Sequence, residues 1–244
     1  MTSRALDGKT VVVIGGSSGI GFAVARAALD EGAEVVVASS GQAKVDAAVE
    51  RLGAGARGAA VDVTDEASVA GFFEQLGGFH HLAFTAGDWG AMAGGPIADV
   101  VLEDAGAIFA VRFWGAVAAV KHAARNIAAD GSITLTDGLV AHRPRKGSAL
   151  STAMAGAVEH LVRGLAVDLA PVRVNAVCPA LILTEMWNSI PEEVRAERLR
   201  KMTERQPLPR PGDPAEVAQA YLYLMRGGYT TGQVLKVDGG AMLT

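Results

Sequence analysis

One stretch near the N-terminus constrains the fold more than any other. Residues 10–29 read TVVVIGGSSGIGFAVARAAL. Val11, Val12, Val13 and Ile14 form an uninterrupted apolar run, the pattern of a strand buried on both faces. A glycine turn follows (Gly15, Gly16, Ser17, Ser18, Gly19, Ile20, Gly21), and then Phe22, Val24, Ala25, Ala28 and Leu29 recur at helical spacing. Strand, turn and helix in that order leave several backbone N–H groups at the positive end of a helix, where a pyrophosphate is accepted. The same wording also serves as a tight turn that binds nothing, and a glycine cluster alone does not separate the two uses. The rest of the chain has to decide.

That remainder alternates strand and helix. Residues 34–38 (EVVVA) read as a second buried strand, 44–52 as an amphipathic helix, 58–61 as a third strand and 66–76 as a helix opened by Asp65 and Ser68. His80 and His81 precede a fourth strand, LAFTAG. Adjacent histidines point to opposite faces of an extended segment, so no metal site is expected from them, and none elsewhere. A glycine-rich loop covers 88–96, a long apolar helix 103–128, a fifth strand 131–136, a helix 146–169 and a sixth strand 172–177. Residues 186–206 are charged and helical, the composition of a lid, followed by a helix over 216–225 and a seventh strand within 232–240. This pattern predicts one α/β domain over 1–244. Its form is a Rossmann-type doubly wound parallel sheet of about seven strands with helices on both faces, and a lid segment over 185–206.

Length and composition agree with that. A chain of 244 residues fills one large α/β domain but not two. The formal charge of −4 gives no reason to expect nucleic acid or an anionic membrane as partner. No run of about 18 apolar residues is present, so no membrane span is expected. The opening MTSRALDGK leads straight into the first strand without an apolar leader, and the single Cys178 excludes an intrachain disulfide, so a cytoplasmic location is expected. Cys178 sits in VNAVCPALIL, the setting of a buried, inert thiol.

Glycines at 15, 19 and 21 give GxxxGxG rather than GxGxxG. Here the chain resembles the short-chain dehydrogenase/reductase family, whose turn reads TGxxxGIG, with Ile14 where that family usually has threonine. The resemblance runs over essentially the whole chain and implies a dinucleotide held by Gly15, Ser17, Ser18, Gly19, Ile20 and Gly21. At the end of the second strand the residues are Ser39, Ser40, Gly41 and Gln42. An acidic residue there would bind a ribose 2′-hydroxyl and repel a 2′-phosphate. None is present, so NADP(H) is expected over NAD(H), with Ser39, Ser40 and Gln42 as donors and Lys44 in reach, although Ser40 replaces the arginine that NADP-preferring relatives often carry. The resemblance further implies adenine contacts from Asp62 and Val63, where Asp62 could equally be a strand-end cap. It implies close backbone passage at Ala86 and Gly87 in LAFTAG, where Phe84 and Thr85 replace the two asparagines of the family's NNAG. Pro179 and Thr184 match the family's PGxxxT, with Ala180 for glycine, and Thr184 would hold the nicotinamide carboxamide or a phosphate.

Members of this family move a proton with a tyrosine, and a lysine one helical turn later favours the phenolate. A serine and an asparagine complete the set. This chain departs at all four positions: Ser151 for the tyrosine, Ala155 for the lysine, Asp137 for the serine and Arg112 for the asparagine. The only tyrosines, Tyr221, Tyr223 and Tyr229, belong to the last helix region. Asp137 and Arg112 are opposite charges and are expected to pair, either as working groups with Asp137 ionised or as a structural ion pair. The loop GLVAHRPRKG adds His142, Arg143, Arg145 and Lys146, which could anchor an anion or simply be solvated. An imidazole ordinarily titrates near neutral pH, so His142 is a candidate acid or base unless it is a solvated loop histidine. The chain also resembles a bacterial subset of the family with wording close to FWGAV, GSITLTSG and RVNAVSPGL, and a basic residue before FWG.

The expectation is therefore an atypical short-chain dehydrogenase/reductase that binds NADP(H) and transfers hydride to a small carbonyl compound, with Asp137, Arg112, His142 and Ser151 as candidate site residues. Two other readings keep the fold: a lyase, isomerase or cyclase in the same pocket, and a dinucleotide sensor or scaffold that turns over nothing. A homo-oligomer, dimer or tetramer, is implied by the resemblance. The small residues Ala116, Ala118, Ala119, Ala153, Ala157 and Gly164 would suit close packing of the two long helices, against a partner copy or against their own sheet.

Overall fold

The computed structural model describes residues 4–87 and 95–244. Seven strands form one sheet in the order β3-β2-β1-β4-β5-β6-β7. They are β1 (Thr10–Ile14), β2 (Glu34–Ser39), β3 (Ala56–Ala60), β4 (Phe79–Phe84), β5 (Ile127–Thr136), β6 (Arg173–Pro179) and β7 (Val234–Val237). Every neighbouring pair is parallel, and the central register places Val12 opposite Val36 on one side and Leu82 on the other. The order reverses between β1 and β4, which opens a crevice beyond the carboxyl ends of those strands.

Burial on both faces explains the uninterrupted valines. Val12, Ile14, Val36 and Leu82 point into one core, and Val11, Val13, Val35 and Val37 into the other. The second core is closed by α1 (Gly19–Asp30), α2 (Gln42–Leu52) and α9 (Pro214–Arg226). The first is closed by α3 (Glu66–Leu76), by a segmented helix, and by α7 (Ala149–Asp168). Local chemistry sets the ends. Asp65 accepts from the Ala67 N–H at 3.0 Å to start α3, and Asp213 with Glu216 forms a reciprocal capping box ahead of Pro214.

Three expectations need correction. The segment read as one helix over 103–128 is α4 (Leu102–Ala105), α5 (Ala107–Phe109), a π turn (Ala110–Gly115) and α6 (Ala116–Ala123). No glycine or proline marks its end. Asn126 instead donates to the Phe73 carbonyl at 2.8 Å, and Ile127 pairs with Phe79, so β5 begins at Ile127 rather than at 131. His80 and His81 lie inside β4, not before it. They do face opposite sides: His80 Nδ1 accepts from the Thr10 N–H at 3.0 Å, and His81, buried, meets the Ser132 hydroxyl at 2.9 Å. Burial lowers the pKa of His81 to about 4, aided by Arg173 and His80, so this ring is neutral and structural. The segment expected as a lid is a 3₁₀ turn (Glu185–Ser189) and α8 (Glu192–Thr203), of which only Leu199 and Thr203 are buried. Among the described residues no helix is long and apolar enough to cross a membrane.

Candidate active site

The glycine turn lies beyond β1, at the crevice. Its glycines are required by contact. A Cβ on Gly15 would stand 2.5 Å from the Ala86 nitrogen, and one on Gly21 2.3 Å from the Gly15 oxygen and 2.4 Å from Thr85 Oγ1. Thr85 ties this side together, with its N–H (2.7 Å) and its hydroxyl (3.0 Å) both donating to the Ile14 carbonyl. Threonine at 85 therefore keeps the turn and the fourth strand in register. Gly15 and Gly19 have φ of +86° and +53°, a region that side chains disfavour. Ser18, the N-cap of α1, makes no side-chain cap, and Ile20 follows within the first turn. The result is a backbone cradle at a helix N-terminus that a phosphate fits.

The stretch at 39–42, expected to meet a ribose, is also polar and free of carboxylates. Ser17 Oγ donates to Ser39 Oγ at 3.0 Å, and Ser40 is exposed beside them. Gln42 is engaged at both ends of its amide, by the Asp46 carboxylate at 2.7 Å and the Ala60 N–H at 3.2 Å. Asp62 accepts from the Thr64 N–H and hydroxyl at 2.9 and 2.7 Å, hydrogen bonds that hold its carboxyl below the usual range. The capping use of Asp62 is thus present, next to a buried Val63. Ala86 and Gly87 follow β4, and Pro179 ends β6 with Thr184 opening the 3₁₀ turn. All of these residues converge on the carboxyl ends of the central strands. Trp89, in the stretch 88–96 expected as a loop, lies outside the described residues.

The expected ion pair does not form. Arg112 sits in the π turn and lays its guanidinium on Gly87, where a Cβ would meet Nη2 at 2.7 Å. Asp137, one residue past β5 and only 3% exposed, turns instead toward α7 and β6. One ligand-type atom each from Asp137, His142, Glu159 and Cys178 lies within 4.8 Å of all the others. His142 Nε2 stands 2.5 Å from Glu159 Oε1, a hydrogen bond. Two nitrogen and oxygen ligands of one tetrahedral ion would stand about 3.3 Å apart, given bonds near 2.0 Å. Neither Asp137 oxygen meets an N–H or O–H donor at good geometry, and its neighbour is another carboxyl. Two facing carboxylates out of water need a proton between them. Burial raises the Asp137 pKa, reinforced by Glu159, to about 8. Glu159 moves the other way: burial pushes it up, but the Asp137 proton and His142 outweigh this and leave it below its usual range. Asp137 is therefore the protonated partner and Glu159 the anion. The same burial pushes the Cys178 thiol up, as an inert thiol requires.

The other candidates separate. Ser151 and Ala155 are both buried one turn apart on α7, and Glu159 continues the same stripe another turn on. Of the loop cations, Arg143 donates to the Ala241 carbonyl and to Thr244 Oγ1 at the C-terminus, while Arg145 and Lys146 are exposed. They do not gather into one anion pocket.

A family model described as Enoyl-(Acyl carrier protein) reductase matches residues 14–242. The short-chain dehydrogenase/reductase ucsE of Acremonium sp is 38% identical, over 99% of this chain and 98% of its own length. The chain belongs to the short-chain dehydrogenase/reductase family. Among solved structures, the MalC reductase/Diels-Alderase from Malbranchea aurantiaca superposes with a TM-score of 0.92 at 32% identity, covering all of both chains. A small-chain dehydrogenase in complex with NADPH aligns at 0.82 and 36% identity, over 97% of this chain and 99% of that one. An NADPH-bound short chain oxidoreductase from Pseudomonas aeruginosa PAO1, described as containing an atypical catalytic center, aligns at 0.87 and 29%, over 96% and 97% of the two chains.

Within this short-chain dehydrogenase/reductase fold, three residues escape a sequence reading. Glu159 reads as one more polar residue on a helix surface, though its spacing of four from Ala155 was the available signal. Tyr221 is fully buried beneath the strand ends, its hydroxyl 2.6 Å from Thr136 Oγ1, which itself donates to the Phe84 carbonyl at 2.6 Å. Burial pushes that phenol up, with Thr136 and Arg112 pulling it back only in part. Glu185 accepts from the Gly19 N–H at 2.8 Å across 166 positions of chain, and nothing in its local sequence signals this.

Proposed function

We propose that this chain is an NADP(H)-dependent oxidoreductase acting on a small carbonyl or alcohol, without the tyrosine and lysine that usually move the proton in its family. The observation that carries the proposal is the backbone cradle at residues 15–21, where Gly15 and Gly21 admit no Cβ because Thr85, Ala86 and the Gly15 carbonyl are packed against them. Gly15, Ser17, Ser18, Gly19, Ile20 and Gly21 would hold the phosphates, Ser39 and Ser40 the 2′-phosphate, Asp62 and Val63 the adenine. Ala86 and Gly87 would lie under the ribose, and Pro179 and Thr184 beside the nicotinamide end. The group so bound supplies a hydride. NADPH in two of the similar structures and the lack of an acid at 39–42 both support the phosphorylated cofactor.

Reduction of a carbonyl to an alcohol needs a proton as well, and serine at 151 has far too weak an acidity to release one. Asp137 holds a proton at neutral pH because Glu159 and burial keep it there, and His142 on Glu159 links the pair to the partly exposed loop after β5. In our reading these three groups replace the phenol and ammonium, with Arg112 fixing the floor under Gly87. The segment 185–206 is the lid, attached by few buried side chains. We place the protein in the cytoplasm as a homo-oligomer. Ala116 and Ala119 are consumed by their own sheet, which leaves the exposed Trp114, Ala153 and Gly164 for a partner copy.

A second reading is favoured by the whole-length likeness to a protein described as both reductase and Diels-Alderase: the pocket would then also turn over substrate without redox change. The test is a fluorescence titration with NADPH and then NADH, read through Trp114, followed by a carbonyl screen at fixed NADPH. Tight NADPH binding with oxidation of the nicotinamide supports the oxidoreductase. Product without a change in nicotinamide absorbance selects the second reading, and binding of neither nucleotide removes the first.

A further inference from the structure

The phosphate cradle already carries an anion from this chain. Gly19 opens α1, and the first turn of that helix contains no acidic residue. Its N-cap Ser18 makes no side-chain hydrogen bond, so the usual local means of satisfying the helix end is absent. The Gly19 N–H donates instead to Glu185 Oε2 at 2.8 Å. Residues 184 and 185 are seated on the turn: a Cβ on Gly19 would meet the Thr184 methyl at 3.1 Å, and Gly19 itself has φ +53°. Glu185 is exposed and is the first residue of the 3₁₀ turn that leads into α8. Among the described residues, the one side chain that caps the α1 N-terminus is thus the carboxylate at the root of the lid.

We infer that Glu185 is a built-in competitor for the cofactor's phosphates. Its carboxylate occupies the Gly19 N–H until a dinucleotide displaces it, and so sets both cofactor affinity and the resting position of the lid. The inference rests on the dinucleotide reading above. Two anions at one helix end repel each other at close range, and the helix dipole attracts whichever is nearer. A pyrophosphate that settles on this turn therefore drives Glu185 away, and the 3₁₀ turn moves with it. Occupancy of the cradle is communicated to α8 through one side chain, without a change in the sheet.

The test compares the wild type with Glu185→Ala and Glu185→Gln, the second keeping an acceptor but no charge. Two probes are titrated by calorimetry: NADPH, and adenosine 2′-monophosphate, which reaches the Ser39–Ser40 end but carries no pyrophosphate. Trypsin cleavage at Arg195 and Arg198 reports the lid without any nucleotide. The expected result is NADPH binding tightened about tenfold in both variants, equivalent to about 1.4 kcal/mol. Adenosine 2′-monophosphate affinity should be unchanged, and the lid of Glu185→Ala should be cut faster than wild type in the absence of nucleotide. Variants that bind NADPH as the wild type does, or more weakly, would overturn the competition and leave Glu185 as a helix cap or a clamp on bound cofactor. If neither wild type nor variants bind NADPH, the dinucleotide reading fails and takes this inference with it. NADPH binding by the variants alone would support it most directly.

Discussion

Replacing Asp137 by asparagine tests the buried acid pair without using turnover. The two side chains have nearly the same shape, and an asparagine N–H can still donate to Glu159, so the substitution chiefly removes one titration. The direction of its effect follows from linkage. In the unfolded chain Asp137 ionises near its ordinary value of 3.8, whereas in the folded chain it stays protonated until about pH 8. Between those limits the folded state holds more protons, so stability must fall as pH rises, by up to about 1.4 kcal/mol per unit for one proton. From about pH 5 to pH 8 this amounts to at most roughly 3–4 kcal/mol, a large part of the stability of an ordinary domain. Glu159 is shifted downward, so its own contribution is lost only as the pH drops below its usual range, outside this window. His142, Cys178 and Lys236 also face the pair, and they are common to both proteins, so a difference measurement subtracts them. Urea unfolding of both proteins at one-unit steps of pH is the assay. Relative to the wild type, Asp137→Asn should gain about 2–4 kcal/mol between pH 5 and pH 8, and the gain should level off above that. Parallel stability curves would refute the shared proton and, with it, the role given to Asp137.

Two further substitutions address the cradle. Gly21→Ala places a methyl 2.3 Å from the Gly15 carbonyl oxygen, a clash with backbone that cannot rotate away, and should cost about 1–3 kcal/mol in denaturant unfolding and most NADPH binding. Unchanged stability there would mean that the turn is loose and does not form a preorganised site. Ser40→Asp puts a carboxylate on the exposed end of β2, where a 2′-phosphate would lie. It should lower NADPH affinity by about tenfold or more while NADH affinity holds or rises, measured by the same titration. Equal loss for both nucleotides would remove Ser40 from the ribose site.

Most of the sheet was legible because its signal is local. VVVI, EVVVA and RVNAV are buried on both faces, and a parallel strand so placed has no reason to alternate. The helix start at Asp65 was equally visible through its cap, whereas the last helix, expected from 216, opens at Pro214 behind the cap Asp213. The helix over 103–128 was not, since its breaks come from elsewhere. ARNIAAD contains good helix formers and no stop signal, and the chain leaves the helix because Asn126 reaches the Phe73 carbonyl, 53 positions away. The π turn at Ala110–Gly115 likewise has no glycine or proline before its last residue to announce it, and it is the element that aims Arg112 at Gly87 rather than at Asp137.

The site failed to be legible for a related reason, and the failure is informative. Pairing Asp137 with Arg112 assumed that a buried carboxylate seeks the opposite charge, which is the usual outcome. In the folded chain the carboxyl has a different neighbour because α7 presents one buried stripe, Ser151, Ala155 and Glu159, at four-residue spacing toward β5 and β6. Glu159 cannot leave that stripe without abandoning the helix face that carries Met154, Val158 and Val162 into the core. Asp137 meets an anion and resolves the conflict by keeping its proton. If the tyrosine and lysine of the family are taken as the starting arrangement, their stripe has not emptied. Its ionisable group has moved one turn along, from 155 to 159, and changed sign, so a group that released a proton under a nearby cation is replaced by one that retains a proton under a nearby anion. On the proposed reading such a site would act as an acid at neutral pH, which would suit reduction more than oxidation. A preference for carbonyl substrates over alcohols at pH 7, lost in Asp137→Asn while NADPH binding is kept, is the kinetic counterpart of the stability measurement.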